Sequence, residues 1–223
     1  MTFNEYPDQE MMMIDLANRL AGELTQALEH QERALLAVPG GTTPGPIFDV
    51  LCAADLDWAR VDVMLTDERW VREDHERSNT RLLHARLLVN HAAKARYLPM
   101  YLPGKTPEDR LAELETNIVA QLPIDVLLLG MGADMHTASI FPEADKLDEA
   151  LDPHAPILMP MRAPGAPEPR VTLTARVLDG ALRKHVVITG QEKREALERA
   201  RHLPVREAPI GSVLTGADVH WAV

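Results

Sequence analysis

A chain of 223 residues with 46% hydrophobic and 26% charged side chains has the proportions of a globular protein, which excludes a disordered or fibrous chain. Its 23 basic and 34 acidic side chains leave a formal net charge of -11. That argues against a nucleic-acid surface, which needs a clustered positive stripe to displace phosphate counterions. An anionic metabolite remains a possible ligand, provided a few cations and backbone N–H groups converge at one point.

The single cysteine, Cys52, cannot close an internal disulfide, and no Cys/His cluster has zinc-ligand spacing. The first twenty residues carry Glu5, Asp8, Glu10 and Asp15 with no unbroken apolar run, unlike a secretion signal. No segment approaches the roughly 18 apolar residues of a membrane span. A cytoplasmic protein with one domain over residues 1–223, and neither nucleic acid nor membrane as partner, is expected.

In chain order, Met12, Met13, Leu16, Leu20, Leu24, Ala27 and Leu28 fall at helical spacing and predict an amphipathic helix over Gln9–Gln31. Ala34–Val38 reads as a buried strand, broken by Pro39-Gly40-Gly41-Thr42-Thr43-Pro44 before apolar residues resume from Ile47 to Leu51 as a helix. Val61–Leu65 is the next strand, followed by a polar stretch from Thr66 to Asn79 and a helix through Leu82, Leu83, Leu87 and Leu88. A proline-rich connection from Pro99 to Pro107 leads into a helix that starts near Thr106 or Pro107 and turns Leu111, Leu114 and Ile118 inward. Ile124–Leu129 is the most apolar strand, and it ends at the sharp turn Gly130-Met131-Gly132.

Beyond it, six prolines between Pro153 and Pro169 mark a loop or sheet edge. A helix near Ala175–Leu182, a strand His185–Thr189, a charged helix Gln191–His202 and short strands at Ser212–Leu214 and Val219–Trp221 complete the chain. This alternation predicts an α/β fold: a doubly wound, mostly parallel sheet with helices on both faces and ligands at the C-terminal strand edge.

Three loops at that edge could carry chemistry. Gly40-Gly41-Thr42-Thr43-Pro44 is either an anion site at a helix N-terminus or a plain turn with Thr43 as N-cap and Pro44 at the first helical position. Asp67-Glu68-Arg69 is either a functional charge cluster or a helix-capping and ion-pair arrangement. His136 is a candidate general base, with Asp134 two residues away to fix its tautomer, or a structural histidine.

Together these segments resemble the signature blocks of the 6-phosphogluconolactonase family. The blocks are Pro39–Pro44, Thr66–Trp70 with Ser78-Asn79, Leu129–Gly132 through Asp134–Pro142, and Arg170–Thr174, in family order, with Thr189-Gly190 and Lys193 extending the likeness. The resemblance implies a Rossmann-like fold shared with glucosamine-6-phosphate deaminases, a cytosolic lactone hydrolysis in the oxidative pentose phosphate pathway, a phosphorylated sugar lactone as substrate, and neither cofactor nor metal. By position it implies that Gly40, Gly41, Thr42, Thr43, Arg170 and Lys193 hold phosphate. His136 would activate water, Asp134 orient it, and Arg69 stabilise negative charge near the lactone, with Asp67 beside them.

Two residues depart from the family pattern: Met135, where glycine is usual, and Thr42, where serine is common. If position 135 needs a positive φ, methionine there costs roughly 1 kcal/mol or more. Two other functions compete. An amino-sugar-phosphate isomerase and deaminase would use Asp67 as a base on carbon, but Arg69 after Glu68 matches the lactonases. A non-catalytic sugar-phosphate sensor would normally carry a helix-turn-helix extension, for which the chain has no room.

Overall fold

The computed structural model describes residues 1–223. In chain order the elements are β1 (Thr2–Glu5), α1 (Gln9–His30), β2 (Ala34–Val38), α2 (Gly45–Leu51), β3 (Val61–Leu65), β4 (Asp67–Arg69), α3 (Asn79–Arg86), β5 (Arg96–Leu98), α4 (Leu111–Ile118) and β6 (Val126–Gly130). They continue with α5 (Leu147–Leu151), β7 (Leu158–Met161), β8 (Arg170–Leu173), α6 (Ala175–Asp179), β9 (Arg183–Thr189), α7 (Gln191–Ala200) and β10 (Asp218–Ala222).

Seven strands form one parallel sheet in the order β1-β10-β9-β6-β2-β3-β5. β2, β3 and most of β6 are buried throughout, which explains their near-continuous apolar sequences. From β2 the chain winds outward through β3 and β5, whereas β6 leads the other way to β9 and β10. The loops after β2 and β6 therefore diverge, and a crevice opens at that switch point. α1 is held at its start by Asp8, whose carboxylate accepts from Met11 N–H, and its apolar face packs across β2, β6 and β10.

A second, antiparallel sheet, β4-β8-β7, lies beyond the C-terminal end of β3. Leu173 N–H donates to Thr66 O at 2.9 Å and ties it to the main sheet. One cluster of 61 buried apolar residues includes Met159 and Val171 as well as the main strands, so both sheets share a core.

Several elements differ from the sequence reading. Residues 67–69 form a strand within the expected polar stretch, because their backbone pairs with β8 while their charged side chains have specific partners. β1 and β5 are also additional strands. Ser212–Leu214 is not a strand: Pro209–Ser212 is a 3-10 turn, and the Ser212 hydroxyl bonds back to Pro209 O at 2.7 Å. The N-cap of α2 is Pro44 rather than Thr43, and no side chain caps it.

Candidate active site

Four parallel strands deliver their C-terminal loops to one cavity of about 250 Å³. β2 supplies residues 39–44, and β3 leads into β4 with Asp67 and Arg69. β6 supplies Gly130, Met131, Gly132, His136 and Ala138, and β9 supplies Val187 and, through the first turn of α7, Lys193. Arg170, at the start of β8, closes the wall. The predicted Gly40, Gly41, Thr42, Thr43, Asp67, Arg69, His136, Arg170 and Lys193 thus meet at one place. Asp134 reaches it through its contact with His136.

That contact is short: His136 Nδ1 lies 2.5 Å from Asp134 Oδ1, and His136 N–H also donates to this oxygen at 3.2 Å. Partial burial pushes the Asp134 carboxyl upward, but the hydrogen bonds and charge of His136 outweigh it and leave the pKa below the ordinary value. An ionised Asp134 keeps the proton on Nδ1 and leaves Nε2 as the basic nitrogen. The backbone needed for this includes Met135 at φ +67° and Ala138 at φ +49°, so the methionine does occupy a left-handed position. Gly132 is required by close approach: a Cβ there would lie 2.3 Å from His136 Nδ1 and 2.4 Å from Asp134 Oδ1.

Charge in the cavity is opposite in sign to that of the whole chain. Arg69, Arg170 and Lys193 line it with one carboxylate, Asp67. Arg170 is buried, and its nearest carboxylates, Asp67 and Glu168, stand 3.9 and 3.8 Å away. Burial draws its pKa down; Asp67 and Glu168 counter this in part, while Arg69 and Arg77 add to it. The Nε groups of Arg69 and Arg170 are buried without a protein partner. The guanidinium groups of Arg69 and Arg170 and the ammonium of Lys193 give this cavity the charge that would suit a small anion with several acceptor oxygens.

Asp67 is fixed rather than mobile, since its Oδ2 accepts from Ser139 Oγ at 2.6 Å. Arg69 is partly committed: Nη1 donates to Arg77 O at 2.6 Å and straps the loop between β4 and α3. Glu68 does not reach the cavity. It is fully buried and accepts from Arg69 N, Ser78 Oγ, Asn79 N and both the N–H and hydroxyl of Thr80, capping α3. Burial pushes its pKa up despite these bonds. The capping alternative for the acidic cluster therefore describes Glu68, and the cavity alternative describes Asp67 and Arg69.

Asn79 is a cavity residue outside the predicted set. Its Nδ2 donates to Asp67 O at 2.9 Å, and a Cβ on Gly40 would lie 2.0 Å from its amide oxygen. The available signal was the Ser78-Asn79 pair within the segments that resemble the family. No group of three or more His, Cys, Asp or Glu side chains is arranged to hold a metal ion. No helix is long and apolar enough to cross a membrane.

A parallel α/β sheet with a cation-lined, histidine-bearing crevice at its switch point belongs to the class of open α/β folds that bind small ligands at the C-terminal strand edge. Residues 7–221 match the family of glucosamine-6-phosphate isomerases/6-phosphogluconolactonase, and the chain belongs to that family. It is 42% identical over 228 residues to a 6-phosphogluconolactonase of Mesorhizobium japonicum, covering 99% of this chain and 94% of the relative. A crystal structure of a 6-phosphogluconolactonase from Shewanella baltica OS155 superposes with a TM-score of 0.95 at 30% identity, covering 100% of this chain and 97% of that one. A monomeric glucosamine-6-phosphate deaminase shares the fold, with a TM-score of 0.81 at 15% identity and coverage of 99% and 97%.

Proposed function

We propose that this chain, acting as one domain over residues 1–223, hydrolyses 6-phospho-D-glucono-1,5-lactone to 6-phospho-D-gluconate in the cytosolic oxidative pentose phosphate pathway. The observation that carries the reading is the Asp134–His136 pair, 2.5 Å apart, beside a cavity where three cations face one carboxylate. Lactonases among the relatives support the choice of substrate.

Arg170, Lys193 and the backbone and hydroxyls of residues 40–43 hold the phosphate, which fixes the lactone through a group remote from the reacting carbon. His136 Nε2 takes a proton from water as its oxygen attacks the lactone carbonyl carbon. The resulting oxyanion is stabilised by Arg69. Collapse breaks the bond from that carbon to the ring oxygen, and the imidazolium returns its proton to the departing oxygen. Asp134 holds the ring throughout and stabilises its charged form.

The test is a coupled assay on freshly generated lactone, in which 6-phosphogluconate formed is oxidised by its dehydrogenase with reduction of NADP⁺. Product formation well above the spontaneous rate is expected. A rate equal to spontaneous hydrolysis, with ammonia released from glucosamine 6-phosphate, would transfer the site to the deaminase reaction and make Asp67 the base.

A further inference from the structure

Phe141 has no reactive group, yet its ring touches the two side chains on which the proposed hydrolysis depends. Its centroid lies 4.3 Å from that of His136, with the planes at 36°. The guanidinium carbon of Arg170 lies 5.8 Å from the same centroid, within cation–π reach.

Side-chain hydrogen bonds hold neither partner fully. Arg170 Nε has no protein partner, and the distances to Asp67 and Glu168 are too long for hydrogen bonds. His136 makes one side-chain hydrogen bond, to Asp134, and a single bond at Nδ1 leaves the tilt of the ring about that bond undetermined. The backbone returns Phe141 to this position by a tight turn, in which Ile140 N–H donates to Thr137 O at 3.0 Å; Ala144 N–H then holds Phe141 O at 3.1 Å. Phe141 does not line the main cavity itself. His136 and Arg170 line the main cavity, whereas Phe141 lines a neighbouring one with Asp134, Ala163 and Pro164.

We propose that Phe141 is a positioning residue that fixes the His136 ring plane and the Arg170 guanidinium together, so that the base and the phosphate clamp adopt one mutual geometry. The roles of base and clamp rest on the lactonase reading; the contact of one ring with both side chains does not. The turn from Thr137 to Ile140 makes this coupling local, because the chain that carries the base also carries the ring that braces the clamp.

The experiment compares the parent, Phe141→Leu and Phe141→Tyr by kcat and KM on the phosphorylated lactone, by KM on unphosphorylated glucono-δ-lactone, and by inhibition with inorganic phosphate. Loss of the ring should lower kcat about tenfold or more, as expected for a base displaced by a fraction of an ångström. It should raise KM for the phosphorylated substrate, and weaken phosphate inhibition, about two- to fivefold, the size of one cation–π contact. KM for the unphosphorylated lactone should not change, and Phe141→Tyr should recover most of both losses. A ring needed only for packing would change the melting temperature of Phe141→Leu while leaving kcat per folded molecule and phosphate inhibition at parental values, and that result overturns the proposal. Equal losses in Phe141→Tyr and Phe141→Leu overturn it too. If Phe141→Leu does not fold, Phe141→Met removes the ring with a more adaptable side chain. A parent that does not exceed spontaneous hydrolysis refutes the lactonase reading instead, and direct binding of inorganic phosphate still reads the Arg170 contact.

Discussion

Gly132→Ala adds one methyl group at a point where the structure leaves no room. The new Cβ would lie 2.3 Å from His136 Nδ1 and 2.4 Å from both His136 Cε1 and Asp134 Oδ1, against 3.4–4 Å for ordinary contact. Gly132 does not have a positive φ, so alanine suits the backbone and the strain falls on the side chains. Relieving it requires a displacement of about 1 Å at the atoms that form the Asp134–His136 bond, and a misplacement of that size can cost about 10²-fold in rate. The pair lies at the surface, with Asp134 about half exposed, so it can yield without disturbing the core and stability should change by less than about 1 kcal/mol. The coupled lactone assay should show kcat reduced about 10²-fold with KM within about twofold, because the phosphate contacts lie on other loops. A folded Gly132→Ala protein with parental kcat would show that the pair's geometry does not limit the reaction.

Other consequences can be measured independently. Arg170→Ala should raise KM for the phosphorylated lactone about tenfold or more, the worth of a charge-assisted contact, with little effect on the unphosphorylated lactone; equal effects on both would move the phosphate elsewhere. Glu68→Gln places an amide NH₂ among five donors, and urea unfolding should register a loss of about 3 kcal/mol; an unchanged midpoint would contradict the capping role. His220 is buried between Tyr6 and His185, and burial, with the charge of His185 adding to it, draws its pKa down to about 4 from 6.5. The unfolded state therefore binds the proton first: this stability is fully present above pH 6.5 and is lost as pH falls towards 4. In His220→Asn, the slope of unfolding free energy against pH in that window should decrease by up to about 1.4 kcal/mol per unit, and an unchanged slope would refute it.

Residues whose roles depend on strong local patterns were legible in the sequence. The apolar runs of β2, β3 and β6 are buried on both faces and can be read directly, and the glycines that follow β2 and β6 mark the crevice between them. His136 and Asp134 could be paired because they are two residues apart. β4 was hidden because Asp67, Glu68 and Arg69 have no strand-like composition; β8, about a hundred residues later, makes them a strand. The same distance concealed the separation of Glu68 from Asp67. Adjacent carboxylates point to opposite sides of a strand, so one enters the cavity and the other caps α3. Asn79 and Phe141 lie in segments that resemble the family but were not singled out, since their contacts with Gly40, Asp67 and Arg170 cannot be read from spacing alone. Methionine at position 135 is accommodated despite its positive φ, in a loop held by Met135 N–H to Gly132 O and by Ile210 N–H to Met135 O.

The most direct measurement is the steady-state comparison of His136→Gln with the parent on the phosphorylated lactone, corrected for spontaneous hydrolysis. Water activation by His136 predicts a folded variant with KM nearly unchanged, kcat lower by roughly 10²–10⁴-fold, and no acidic limb in its kcat–pH profile. A folded His136→Gln protein with near-parental kcat and the same acidic limb would contradict this mechanism and make Asp67, the remaining carboxylate in the cavity, the next base to test.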